Sequence, residues 1–326
     1  RLDDEKYWKK YGGAELEPLL EADAGLGGSP VALVDARFLI DLAASGGRLL
    51  RRQDLPAAAF IPLARLRKMQ NGPMRVLCVS YPWLQPDHPD PHGCTLGLLA
   101  KALALCLTQQ RGTHAVFLDF CSLHQKDASG GRDEAAAALF GKALGSLSSI
   151  YSHPSTYILK VTKLPEGYPR GYTFPAGVHA NQADYYERGW CFCESSMGNL
   201  VKDNMKVLDL GKFTGYYKNY VGLERECKAG RSAPLTPAAF AALLETKAFT
   251  SSACDPPDPL PAPLWRPAAL GVPARARTSA AGDCASAQSS SSPPDATKNA
   301  SGASRSGPVP PREVGGRASK RVVRRE

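Results

Sequence analysis

Apolar positions cluster in short blocks along the first 250 residues, and two spacings alternate among them. Val76–Ser80 is nearly all apolar, the pattern of a strand covered on both faces. Ala115–Asp119 repeats it and ends on an acid, Thr156–Val161 is a third such block and Lys206–Leu210 a fourth. Helical spacing separates them: Thr95 to about Gln110, Asp133–Ile150, and a helix that begins near Arg188. A Pro/Asp/His loop (Pro82–Gly93) and a Gly/Pro/Tyr-rich insertion (Thr162–Tyr185) break the alternation. Strand–helix repetition of this kind predicts an α/β domain over 71–225, with a parallel sheet flanked by helices.

The flanks read differently. Residues 1–70 are expected to form a helical N-terminal extension. Val34–Ala44 has helical spacing and stops at Gly46-Gly47, and a second helix is expected from Pro56 to Met69 with Asp54 as its cap. Over 226–250, a last helix is expected at Pro237–Phe249, capped by Thr236. Residues 251–326 are crowded with Pro, Ser, Ala and Arg and hold few large apolar side chains, a composition that predicts disorder.

Composition changes this picture in three places. The formal charge of +9 belongs mainly to the end of the chain: residues 296–326 carry eight Lys/Arg against Glu313 and Glu326, a net of +6. Such a tail fits a nuclear-import signal, a tether to an anionic surface or solubilising sequence, and nucleic-acid contact is expected only through it. Nine cysteines without framework spacing point to a reducing compartment, cytoplasmic or nuclear, and to no disulfide scaffold. No stretch approaches about 18 consecutive apolar residues, so no membrane span is expected. The chain starts at Arg1, which leaves a preceding targeting peptide open.

Several chemistries lack their residues. Neither GxGxxG, GxxxxGK[ST] nor HExxH occurs, and Cys191 with Cys193 is a poor zinc spacing, so no metal is expected. Cys121 with His124, or Cys191 at a helix start, offers a thiol, yet no base is visibly oriented onto either. Glu194 is the stronger candidate. Trp190 lies four residues before it on the same helix face, and Arg188 is placed to pair with a phosphate or with the acid. Ser80, Tyr81 and Trp83 leave the first strand's carboxyl end, and Asp119, Cys121, Ser122, His124 and Gln125 leave the second's. In a flavodoxin-like strand order, 2-1-3-4, a crevice lies between the first and third strands, where Glu194, Ser80 and the Tyr/Trp pair would converge.

These segments, in this order, resemble the heterokaryon-incompatibility (HET) domain, itself regarded as similar to TIR domains. The HET phrases "LSYxWG" and "WIDALCINQ" are matched by Val79-Ser80-Tyr81-Pro82-Trp83 and by Phe117-Leu118-Asp119-Phe120-Cys121-Ser122-Leu123-His124-Gln125. Arg132-Asp133-Glu134 leads a helix reaching Leu147-Ser148-Ser149-Ile150-Tyr151, like "MxxIYxxA", and Arg188–Glu194 matches "RxWTLQE". That last piece is also similar to the "S-x-WCLxE" segment of plant-type TIR domains, through Trp190, Cys191 and Glu194. The resemblance covers Val76 to Leu200. His124 stands where HET has Asn, Leu84 where it has Gly, and Gly189 where TIR has Ser.

The resemblance implies a TIR-like signalling domain that binds a nucleotide and cleaves NAD, as substrate rather than cofactor, at the nicotinamide–ribose bond. Glu194 would be the catalytic acid. Tyr81 or Trp83 would stack on a ring, and Ser80 and Arg188 would meet ribose hydroxyls or phosphate. A second expectation is a non-catalytic self-association module, a homo-oligomer or a binder of protein partners through its helical flanks.

Overall fold

A computed structural model describes residues 5–68, 75–109, 114–164 and 181–250. The tail expected to be disordered (251–326) and most of the insertion (165–180) lie outside the described residues. Five strands form one mixed sheet: β1 (Val34–Asp35), β2 (Val76–Ser80), β3 (Ala115–Phe117), β4 (Tyr157–Lys160) and β5 (Val207–Asp209), in the spatial order β1-β3-β2-β4-β5. The last four strands are parallel, and β2 lies between β3 and β4.

The N-terminal segment carries helices α1 (Lys6–Lys10), α2 (Glu17–Leu20), α3 (Ala36–Ala44) and α4 (Leu63–Arg67). After β2 come α5 (Cys94–Gln109), α6 (Asp119–Ser122), α7 (Glu134–Gly145) and α8 (Leu147–Tyr151), then α9 (Gly189–Val201), α10 (Tyr220–Cys227) and α11 (Pro237–Leu244). Side-chain caps set several starts: Asp133 accepts from Ala136 N–H, Asn219 from Gly222 N–H and Thr236 from Ala239 N–H. Asp90, fully buried, accepts from the N–H groups of Thr95 and Leu96 and ties the Pro82–Gly93 loop to α5.

Three expectations for this architecture are corrected. The N-terminal segment is not wholly helical: Val34–Asp35 pairs antiparallel with β3, so the sheet is mixed rather than parallel. Asp35 both ends β1 and caps α3 through Arg37 N–H, which is why the pair was hidden inside a helical spacing. The helix expected from Pro56 is broken. Ala57–Ala59 is a single 3-10 turn, Ile61 N–H bonds the Leu33 carbonyl in extended form, and Pro62 opens α4. Asp54, expected to cap that helix, pairs with Arg51 instead.

The sheet buries both faces, and the pleat sorts the side chains between them. Leu77, Val79, Val116, Leu159 and Leu208 pack with Leu39 of α3, Leu99 and Leu103 of α5 and Leu223 of α10. Val76, Cys78, Phe117, Ile158 and Val207 pack on the other side with Trp8, Leu16 and Leu19, with Ile150 and Tyr151 of α8 and with Met197 of α9. The N-terminal segment thus shares both cores of the α/β sheet. No helix among the described residues is long and apolar enough to cross a membrane.

Candidate active site

Glu194 reaches the sheet because α9 lies directly on it. At Gly198, one turn on from Glu194, an added Cβ would stand 2.4 Å from Ile158 Cδ1, so a larger residue there would require the Ile158 side chain on β4 to shift. Ser80, the last residue of β2, then donates to the Glu194 carboxylate at 2.5 Å. With its proton so placed, Ser80 accepts from the Tyr185 hydroxyl at 2.6 Å. The Tyr151 hydroxyl, which donates to the Val79 carbonyl at 3.0 Å, also lies against the carboxyl. Ser80 and Glu194 are both buried. Burial, followed by the charge of Asp119, pushes Glu194 up to about 8, against the hydrogen bond from Ser80 and the neighbouring Tyr151 hydroxyl.

Asp119 forms a second acid centre beside it. Its Oδ1 accepts from the Tyr81 hydroxyl at 2.8 Å and the Phe120 N–H at 2.6 Å, and its Oδ2 from Trp83 Nε1 at 2.9 Å. Burial raises Asp119 to about 6, with these three donors holding it back. Burial thus favours the protonated form of both acids, and of Glu194 the more strongly. The strand expected to run through Asp119 ends at Phe117, and Asp119 starts α6.

Neither a protein-family model, nor a curated protein, nor a solved structure matches this chain.

The expected site residues separate into two groups. Glu194 with Ser80, and Asp119 with Tyr81 and Trp83, form two hydrogen-bonded groups at the carboxyl ends of β2 and β3. Tyr81 packs its ring among the apolar side chains of the core and spends its hydroxyl on Asp119, so neither ring face is open for stacking on a substrate ring. Trp83 is half-buried, edge-on to Phe120 at 5.4 Å. Gln125 braces the α6 loop by donating to the carbonyls of Asp119 and Leu123. The His124 ring is lowered by burial, and its Nε2 finds no hydrogen-bond partner among the described residues. Cys191 and Cys121 are buried thiols, both raised by burial and so not poised as nucleophiles. Among the described residues no group of three or more His, Cys, Asp or Glu is arranged to hold a metal.

Arg188 is the clearest correction. Its buried guanidinium donates to three backbone carbonyls, those of Ala183, Trp83 and Asn181, and pairs with neither Glu194 nor open solvent. It clamps the chain entering α9 to the loop leaving β2. Trp190 turns toward Phe249, edge-on at 6.2 Å, while Phe192 stacks on Phe240 of α11 at 5.1 Å. Gly189 N–H donates to the Ala248 carbonyl, and Ala248 N–H to that of Glu187, so residues 246–250 strap the start of α9.

That strap accounts for glycine at position 189: a Cβ there would lie 2.0 Å from the Phe249 ring. Gly189→Ser is expected to destabilise the protein by about 1–3 kcal/mol, the usual cost of overpacking. Adding Phe249→Ala to that variant should recover part of the loss in thermal melts. Additive losses would contradict the contact.

Sequence reasoning missed Tyr185, Tyr151 and Lys160. Tyr185 falls at the end of the Gly/Pro/Tyr-rich insertion and Tyr151 at a helix end, while Lys160 is a charge inside an apolar strand block. That last anomaly was the available signal.

Proposed function

We propose that Val76–Leu200 is a flavodoxin-like domain of the TIR/HET kind that binds a nucleotide and hydrolyses NAD at the nicotinamide–ribose bond. The observation that carries this reading is the buried Glu194 carboxyl, held by Ser80 at the carboxyl end of the central strand β2. In the proposed reaction the C–N glycosidic bond breaks, and its electron pair leaves with nicotinamide, which becomes neutral. Positive charge develops on the ribose carbon. Ionised Glu194 stabilises that charge until water adds to the carbon and releases a proton. A cationic nicotinamide at the site favours the ionised carboxylate, which burial alone disfavours. Trp83 is the aromatic surface for the nicotinamide ring.

Purified protein incubated with NAD is expected to release nicotinamide, and Glu194→Ala to abolish release. The Ser80 hydrogen bond favours the ionised carboxylate, so its loss raises the Glu194 pKa. Ser80→Ala should therefore move the rising limb of the pH–rate profile above about 8. A limb that stays in place would remove Ser80 from this role.

Self-association is the second reading, favoured by Leu200 and Val201, large apolar residues exposed at the end of α9. Concentration-dependent assembly that survives Glu194→Ala, without turnover in the parent chain, would select it.

A further inference from the structure

Lys160 ends β4 and is the register partner of Ser80 on β2. Ile158 and Cys78, two residues earlier on each strand, face the α9 side of the sheet, so Lys160 and Ser80 face it too. Lys160 is 2% exposed. Its ammonium has three donors, and among the described residues it makes one long hydrogen bond, to the Tyr186 hydroxyl at 3.3 Å, with that ring 5.5 Å away. Burial lowers its pKa, Asp209 acts to raise it, and Lys212 acts to lower it further. Asp209, its partner on β5, spends its Oδ1 on the Thr162 hydroxyl and the Gly211 N–H.

The other buried cations next to α9 are used differently. Lys202 donates to the carbonyls of His153 and Thr156 and to Thr156 Oγ1. Arg188 spends its donors on three carbonyls. Those two are satisfied structural cations, whereas a buried ammonium with two donors unmatched is costly unless a ligand completes it. Lys160 also stands one strand away from Ser80, whose hydroxyl donates to Glu194.

We propose that Lys160 is the anion-binding residue of the site, receiving a phosphate of a nucleotide whose ribose lies at Ser80 and Glu194. It takes the part that Arg188 cannot play. This rests on the nucleotide-binding reading above, but its test does not depend on bond cleavage.

Calorimetric titration of the full chain with inorganic pyrophosphate, ADP and nicotinamide riboside tests it. Lys160→Met is expected to weaken pyrophosphate and ADP about tenfold to a hundredfold, the worth of a charge-assisted hydrogen bond. Nicotinamide riboside, which lacks phosphate, should bind unchanged, and Lys160→Arg should keep most of the affinity. The melting temperature of Lys160→Met should rise, because a buried, unmatched charge is removed. Wild-type protein that binds neither pyrophosphate nor ADP, a Met variant that binds them equally well, or one that melts lower would each overturn the proposal. Absence of nicotinamide release with phosphate binding lost in the Met variant would sink the hydrolase reading alone.

Discussion

Glutamine in place of Glu194 is expected to stabilise the protein at neutral and alkaline pH and to abolish the proposed NAD cleavage. Unfolded, a glutamate titrates near its ordinary value of 4.5, whereas burial and Asp119 place the folded group at about 8. The folded state therefore binds the proton more tightly. Stability contributed by this group is complete below about 4.5, declines as the unfolded chain ionises, and reaches its minimum above about 8. At pH 7 the cost is at most about 3 kcal/mol. Glutamine stays neutral and keeps an oxygen for the Ser80 hydroxyl, so it removes that cost. Urea melts of Glu194→Gln and the parent should nearly coincide at pH 4 and diverge by pH 8, with the variant the more stable. A gain that does not grow with pH would show that Glu194 is not held in the protonated form. Stability given up at one buried acid is the usual mark of a residue kept for function.

Arg188→Met is expected to be the most damaging single substitution near the site, costing about 3 kcal/mol or more. Three part-buried carbonyls, at Ala183, Trp83 and Asn181, lose a charged donor at once, and acceptors left without it carry a desolvation cost. Lysine should not rescue it, because a point ammonium cannot reach three acceptors arranged around a planar fork. Thermal melts would check this. A well-folded Arg188→Met protein with weakened nucleotide binding would restore the phosphate role that the clamp geometry removes.

The parts of the fold that were legible in the sequence are those where local pattern and tertiary placement agree. β2 is apolar at nearly every position because helices cover both faces of the sheet, and α5, α9 and α11 carry unbroken helical runs. β1 was not legible, because two residues are too few to show a period and Asp35 serves the following helix as cap. Within the site, Ser80, Asp119 and Glu194 stand at strand ends or in the opening turns of a helix, positions that sequence order locates. Side-chain direction is not located that way. Arg188 and Tyr81 had the right residue types in the right places, yet one turned to backbone carbonyls and the other into the core. Lys160 is not legible as a site residue, because a charge inside an apolar block reads as a strand end, not as a buried ammonium.

The central claim is that Glu194 breaks the nicotinamide–ribose bond in its ionised form. Nicotinamide release from NAD, followed from pH 6 to 9 for the parent chain and Glu194→Gln at several protein concentrations, tests it most directly. Release by the parent chain that climbs with pH toward about 8, with none from the glutamine variant, is the predicted result. No release from the parent at any concentration, or equal release from both proteins, would contradict it.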